Sequence, residues 1–181
     1  MAPLTRGDWI EAALVVLEED GPGAVGMEQV ARRLGITKGS AYHHFGGRDD
    51  LLRAALQAWD RVHTRELFAE MEGLTDPRER ITQLFLQTAS KPQTVWAKLV
   101  AAADDAVVGE IVRTVAQARV DFVERALRDL GLTRAAAHRR ALVAYATHLG
   151  LAQLTVELPN ELADASARRR FAREALELLL P

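Results

Sequence analysis

Sixteen consecutive residues, Ala141 to Val156, carry no formally charged side chain, and no other stretch restricts the fold as much. A helix drawn through them is apolar nearly all round, so it must be covered on every side, by its own domain or by another subunit. A membrane span is excluded because the run is shorter than about 20 residues and holds Tyr145, His148 and Gln153. Ala146, Gly150 and Ala152 are small enough to let another helix approach closely.

Elsewhere the apolar spacing is also helical. Ile10, Leu14 and Leu17 recur at i, i+4 and i+7, with Thr5 or Asp8 available as N-cap and Gly21-Pro22-Gly23 as the stop. Met27 to Leu34 forms a second helix with Val30, Ala31 and Leu34 on one side and Gly35 as its C′ residue. Thr37 is an N-cap candidate for a third short helix through Phe45, ended by Gly46-Gly47. A fourth is expected from Arg48 to about Met71 on the spacing of Leu51, Leu52, Ala55, Leu56, Trp59, Val62, Leu67 and Phe68.

Gly73 and Asp76-Pro77 separate that helix from a fifth, where Pro77 suits N1, Ile81, Leu84, Phe85 and Thr88 repeat, and Lys91-Pro92 ends the run. Val95, Trp96, Leu99 and Val100 mark a sixth, and Ile111, Val115, Ala118 and Phe122 a seventh that stops at Gly131. Thr133 caps the eighth, to about Glu157; Pro159 breaks it. Asn160 is the next cap candidate, before a ninth striped by Leu162, Ala165, Ala172, Leu176 and Leu179. There is no period-2 pattern and no internal repeat, so the fold class is all-α with about nine helices.

With 181 residues the chain can hold one full-sized domain, or one small and one moderate domain. The absence of cysteine excludes disulfides, thiolate zinc sites and cysteine nucleophiles, and fits a reducing compartment. Arg6, Asp8, Glu11 and Glu18 interrupt the first apolar stretch, unlike the core of a signal peptide, so a cytoplasmic location is expected. The net charge of −2 rules out a polycation. Any nucleic-acid contact must come from local placement of charge.

That placement points to residues 27–45, two short helices joined by Gly35-Ile36-Thr37, the length and glycine position of a helix-turn-helix. At about 100° per residue, Ala41 and Phe45 share the inner face of the third helix and His43 projects away from it, flanked by Gly39, Ser40 and Tyr42. A hydroxyl, a phenol and an imidazole on one exposed turn, with Lys38 at its start and Gly39 allowing close approach, suit reading of a DNA major groove. An ordinary wet surface is the alternative. Residues 27–53 hold five basic against three acidic side chains, which implies salt-sensitive binding without strong promiscuity.

The stretch GITKGSAYHHFGGRDDLL, Gly35 to Leu52, closely resembles the DNA-binding signature of the tetracycline-repressor (TetR) family. Gly21-Pro22-Gly23-Ala24, the helix Glu28 to Gly35, and Tyr42, His44, Phe45 and Leu51 strengthen the resemblance, which covers residues 6–56. It implies a helix-turn-helix domain over 1–47 and a helical ligand-binding and dimerisation domain over 48–181. Thr37, Lys38, Gly39 and Ser40 would open the recognition helix, with Ser40 and His43 at base edges; Tyr42, His44 and Arg48 would contact phosphates. Phosphate contacts set register and base contacts set sequence. One departure is Gly26-Met27, where the family commonly has Thr or Ser before the second helix.

The same resemblance implies a repressor that binds a palindromic operator as a homodimer through its last two helices, about 133–157 and 161–180. A small apolar, uncharged or weakly anionic effector would release it by shifting the fourth helix. Phe68, Phe85, Trp96, Phe122, Tyr145 and His148 are the pocket candidates, with Gln83 or Gln87 as further polar contacts; ordinary core packing is the alternative for each. No cofactor and no enzymatic activity are expected.

Gly21-Pro22-Gly23-Ala24-Val25-Gly26 has G-x-G-x-x-G spacing, but Glu18-Glu19-Asp20 would repel a pyrophosphate and no β-α-β alternation follows. The five histidines lack metal-ligand spacing. Arg168-Arg169-Arg170 reads as a solvated face. A DNA-binding dimer released by a protein partner, or lacking an effector, remains open at this point.

Overall fold

The computed structural model describes residues 4–91 and 94–181, the Lys38 side chain excepted. The expectations that Pro92 ends a helix and that the Lys38 side chain reaches DNA lie outside the described residues. The chain is all-α: α1 (Arg6–Asp20), α2 (Met27–Arg33), a 3-10 helix (Lys38–His43), α3 (Arg48–Asp60), a π-helical stretch (Arg61–Glu66), α4 (Leu67–Glu72), α5 (Pro77–Ser90), α6 (Thr94–Ala101), α7 (Ala106–Asp129), α8 (Arg134–Glu157) and α9 (Ala165–Leu179). They form two compact units, one of residues up to His63 with Lys98–Arg113, the other of Thr64–Ala97 with Thr114–Pro181.

In the first unit α1 begins with a capping box. The Asp8 amide donates to the Thr5 hydroxyl at 3.3 Å and the Thr5 amide to the Asp8 carboxylate at 2.6 Å, so Thr5 is the cap and Asp8 its reciprocal partner. Trp9, Ala12, Ala13, Val16 and Leu17 form the buried face of α1, packed against α3, which buries Leu51, Leu52, Ala55, Leu56 and Trp59. At the other end of α1, Lys98 Nζ donates to the carbonyls of Glu18 and Glu19 at 3.1 and 2.7 Å. A cation there meets carbonyls that have no partner within the helix.

α2 ends in a Schellman motif. Gly35 takes φ +69°, its N–H donates to the Arg32 carbonyl, and the Ile36 N–H to that of Ala31 at 3.0 Å. The expected third α-helix is instead a 3-10 helix, and Thr37 contributes no side-chain cap to it. The Arg48–Met71 helix has its expected extent but contains the π-helical stretch Arg61–Glu66.

In the second unit Pro77 stands at N1 of α5 with Asp76 as N-cap, and the Thr133 hydroxyl accepts from the Ala136 amide to cap α8. α7 closes on Gly131, at φ +93°, in a second Schellman motif. α5 packs along α9, and α8 against α9, around a core that includes Ile81, Phe85, Phe122, Leu127, Ala144, Leu151, Ala172 and Leu176.

Two expectations are corrected here. Asn160 does not cap α9; Asp164 does, accepting from the Ala167 amide at 2.7 Å. Arg168 is not on a solvated face but buried at 4% exposure. Its guanidinium donates to the carbonyls of Ala89 (3.0 Å) and Ser90 (3.1 Å) at the end of α5 and to those of Leu162 and Ala163 (both 3.0 Å). Leu162 and Ala163 turn their carbonyls toward that charge, so the helix starts at Asp164 and not near Asn160.

Candidate nucleic-acid interface

The 3-10 helix is built on a buried base. Ala41 is fully buried and Phe45 2% exposed; the Phe45 ring meets Trp9 edge-on at 6.5 Å, and the Arg6 guanidinium lies 4.8 Å over its face. An edge-to-face pair and a cation over a ring each add about 0.5–1 kcal/mol or more beyond buried area. These contacts fix the azimuth of a helix only six residues long. Because a 3-10 helix turns 120° per residue, Ala41 and His44 fall on the inward strip, Ser40 and His43 on a second, and Gly39 and Tyr42 on a third.

Exposure follows those strips. Tyr42 is 62% exposed, Thr37, Gly39 and His43 are exposed, and Ser40 is half-buried. His44 is half-buried and its Nε2 donates to the Leu4 carbonyl at 3.1 Å, which ties the end of the 3-10 helix to the chain just before α1. Ser40 and His43 are separated by roughly 6 Å along the axis at ~2.0 Å per residue. That distance is close to two base steps of a DNA strand at ~3.4 Å each.

The start of α3 lies beside this turn in sequence. The Gly46 amide donates to the Asp50 carboxylate at 3.1 Å, and Leu51 N–H closes back on the Gly47 carbonyl. Arg48 is held from three sides, by Asp49 and Asp105 at 3.3 Å each and by the Pro22 carbonyl at 3.3 Å. Asp105 also accepts from the Val107 and Val108 amides and so caps α7. The Val108 amide first, then Val107 and Arg48, hold its carboxyl below the usual range against the effect of burial. Arg48 thus sits in an internal ion pair at the position where sequence reasoning expects a phosphate contact.

Residues 10–55 match the profile described as Bacterial regulatory proteins, tetR family. The chain is 33% identical over 103 residues to the HTH-type transcriptional regulator BetI of Rhizobium meliloti (strain 1021), an alignment covering 55% of this chain and 51% of that one. The chain therefore spans about half the length of the curated relatives it matches. Its fold is similar to a transcriptional regulator from Saccharomonospora viridis in complex with choline (TM-score 0.80, 18% identity, 95% of each chain). It is similar also to a TetR-family transcriptional regulator from Rhodococcus sp. (TM-score 0.75, 21% identity, 97% of this chain and 98% of that one). The profile match places a tetR-family regulatory domain at residues 10–55. These relatives are described as transcriptional regulators.

The six pocket candidates fall into two groups within the second unit. Phe68 and Phe122 stack with centroids 4.3 Å apart, and Phe85 and Phe122 belong to the hydrophobic core. Gln87 donates to Glu70, and Gln83 is half-buried. Trp96, Tyr145 and His148 instead gather around Arg119, a residue that sequence reasoning missed. Arg119 Cζ lies 4.2 Å over the Trp96 ring, its NH1 donates to His148 Nε2 at 2.9 Å, and His148 stacks on Tyr145 at 6.5 Å.

Burial first, and the Arg119 charge second, push the His148 pKa down to about 3, so the imidazole is neutral at pH 7. Burial raises the pKa of the Tyr145 hydroxyl, opposed by the same guanidinium. The missed signal is one of register: Arg119 follows Val115 by four residues and precedes Phe122 by three, placing a charge on the apolar face of α7. Phe122 also reaches an open polar cleft of about 530 Å³ between Glu72, Arg80, Arg125 and Arg128.

Among the described residues no cluster of three or more His, Cys, Asp or Glu could hold a metal ion, and no helix is long and apolar enough to cross a membrane.

Proposed function

We propose that this chain is a cytoplasmic transcriptional repressor that binds a palindromic operator as a homodimer and is released by a small, largely apolar effector. The observation that carries the reading is the exposure of Tyr42 and His43, with the half-buried Ser40 beside them, on a 3-10 helix anchored by Ala41, Phe45 and Trp9. Residues 1–47 form the DNA-binding domain and 48–181 the ligand-binding and dimerisation domain. Ser40 and His43 read base edges, Thr37, Lys38 and Gly39 seat the helix in the groove, and Tyr42, His44 and Arg48 meet phosphates. For Arg48 this requires exchanging the Asp105 carboxylate for a phosphate oxygen.

Dimerisation through α8 and α9 is supported by the apolar groups they leave uncovered. Leu142, Val143 and Val156 on α8 are 47%, 56% and 59% exposed, and Leu178 on α9 is 86% exposed. Leu142, Val143 and Val156 share α8 with the buried Ala141, Ala144 and Leu151, and a Cβ added at Gly150 would meet nothing within 4 Å. A helix apolar on both faces is satisfied when a second copy covers the outer one. The S. viridis regulator in complex with choline supports a small molecule as the releasing signal.

Fluorescence anisotropy of a mixed-sequence duplex, titrated with the purified chain at several salt concentrations, tests the DNA-binding reading. Affinity falls linearly on a log–log plot of binding constant against salt, and Tyr42→Phe weakens it at every salt. Absence of binding at about 0.05 M salt, where phosphate contacts are weakly screened, would overturn the reading.

A further inference from the structure

We propose that the open cleft bordered by α4, α5, α7 and α8 binds a small organic dianion, a phosphate monoester or a dicarboxylate, through Arg128 and Arg134. This goes beyond the DNA-binding and effector readings and depends on neither.

The cleft, of about 530 Å³, lies within the second unit and has the size of a small-molecule site. Four arginines border it: Arg80 from the first turn of α5, Arg125 and Arg128 from the end of α7, and Arg134 from the start of α8. Two of them are committed to neighbours. Arg80 Nη1 donates to the Asp129 carboxylate at 3.2 Å and its Nε to the Leu74 carbonyl at 2.7 Å. Arg125 Nη2 donates to the Glu72 carboxylate at 3.2 Å, and its Cζ lies 5.8 Å from the centroid of the Phe122 ring. These contacts hold two sides of the cleft in place and engage both carboxylates of its lining.

Arg128 and Arg134 are different. Both are exposed, and among the described residues neither guanidinium has a hydrogen bond or an ion pair. Along the chain only the turn at Gly131, φ +93°, and its flanking residues separate them, and both border the same cleft. Four guanidiniums against Glu72 and Asp129 leave the lining with a net charge of +2, which a ligand of charge −2 cancels. A cleft with one sign in excess over an apolar wall concentrates its potential. Phe122 and Ala126, each 3% exposed, and the half-buried Leu132 supply that wall. The guanidinium fork matches carboxylate and phosphate oxygens, and the apolar wall matches the body that carries them.

Isothermal titration calorimetry on the full chain, in a low-salt buffer free of phosphate, tests the proposal. Phenyl phosphate and phthalate serve as organic dianions, inorganic phosphate as the anion without a body, benzoate as the monoanion and tetramethylammonium as the cation. At least one organic dianion binds with a Kd of about 1 mM or tighter, benzoate and inorganic phosphate bind more weakly by about tenfold or more, and tetramethylammonium does not bind. The tighter of phenyl phosphate and phthalate tells whether the head is a phosphate or a pair of carboxylates. Arg128→Gln combined with Arg134→Gln weakens that ligand by about tenfold or more, and the corresponding pair of lysine substitutions weakens it less. Arg139→Gln combined with Arg173→Gln removes the same charge from exposed positions outside the cleft and leaves the affinity unchanged. Equal thermal melting of these double variants shows that the comparison reads the ligand and not the fold.

No binding of either organic dianion would overturn the inference. So would benzoate or inorganic phosphate binding as tightly as both organic dianions, or equal affinities in the two double glutamine variants. None of these readouts uses DNA, so each outcome leaves the DNA-binding and effector readings as they stand.

Discussion

Replacing Arg168 by methionine should be among the most destabilising single changes in the second unit. The side chain is 4% exposed, and its guanidinium makes four hydrogen bonds of 3.0–3.1 Å to backbone carbonyls, two at the end of α5 and two just before α9. Hydrogen bonds to a charged group contribute about 1.5–3 kcal/mol each, and their sum is not additive. Methionine keeps most of the apolar stem and removes the desolvation penalty of the charge, which offsets part of the loss. The four carbonyls remain without the guanidinium, so the net effect is about 3–5 kcal/mol. For a chain of this size that corresponds to a fall in melting temperature of roughly 6–20 °C.

Urea unfolding followed by far-ultraviolet ellipticity measures it. Arg168→Lys keeps the charge but cannot span both pairs of carbonyls, so it should fall between the parent and the methionine variant. A methionine variant within about 1 kcal/mol of the parent, the range of ordinary surface changes, would refute the reasoning that Arg168 ties the end of α5 to the start of α9.

Three further outcomes are expected. His43→Ala should alter base preference among operator variants in competition binding, whereas Tyr42→Phe should weaken all sequences alike and Arg48→Ala should lower the salt slope by about one for each phosphate contact removed; equal losses on every variant for His43→Ala would remove it from the base-reading set. Gly150→Leu should convert the dimer to monomer by light scattering with the helical ellipticity intact, since the added side chain meets open space within one chain; an unchanged dimer would move the interface elsewhere. His148, whose folded-state pKa is held near 3, takes up a proton more readily when unfolded, so its contribution lowers stability as pH falls from about 6.5 toward 3 and is constant above that window. The size is on the order of a few kcal/mol, and His148→Gln should flatten the urea midpoint between about pH 4.5 and 7.5; an equal pH dependence in parent and variant would exclude His148 as its source.

Features fixed by neighbouring residues were legible in the sequence. Gly35 and Gly131 at their left-handed C′ positions, Pro77 at N1 and Thr133 as a cap each depend on a few adjacent residues. The proposed DNA contacts are likewise confined to residues 37–48. The difference between a 3-10 and an α-helix over Lys38–His43 was not legible, because both bury Ala41 and expose His43.

Asn160 and Asp164 are equally good caps by residue type. The choice between them is made by Arg168, which draws the carbonyls of Leu162 and Ala163 out of helical register. The interior cluster joins Trp96, Arg119 and His148 across three helices, so local spacing could not assemble it. What the pattern did hold, for Arg119 and Arg168 alike, was a charge standing in step with an apolar stripe. Such a residue faces inward and must find partners there.

The central claim, that this fold reads DNA as a symmetric dimer, is tested most directly by selecting genomic fragments with the purified chain at about 0.1–0.15 M salt and sequencing what is retained. The account predicts enrichment of one palindrome whose half-sites lie ~34 Å or more apart, lost in His43→Ala or rewritten at the bases it contacts. Retention of fragments with no shared sequence, or of a single unrepeated half-site, would contradict it.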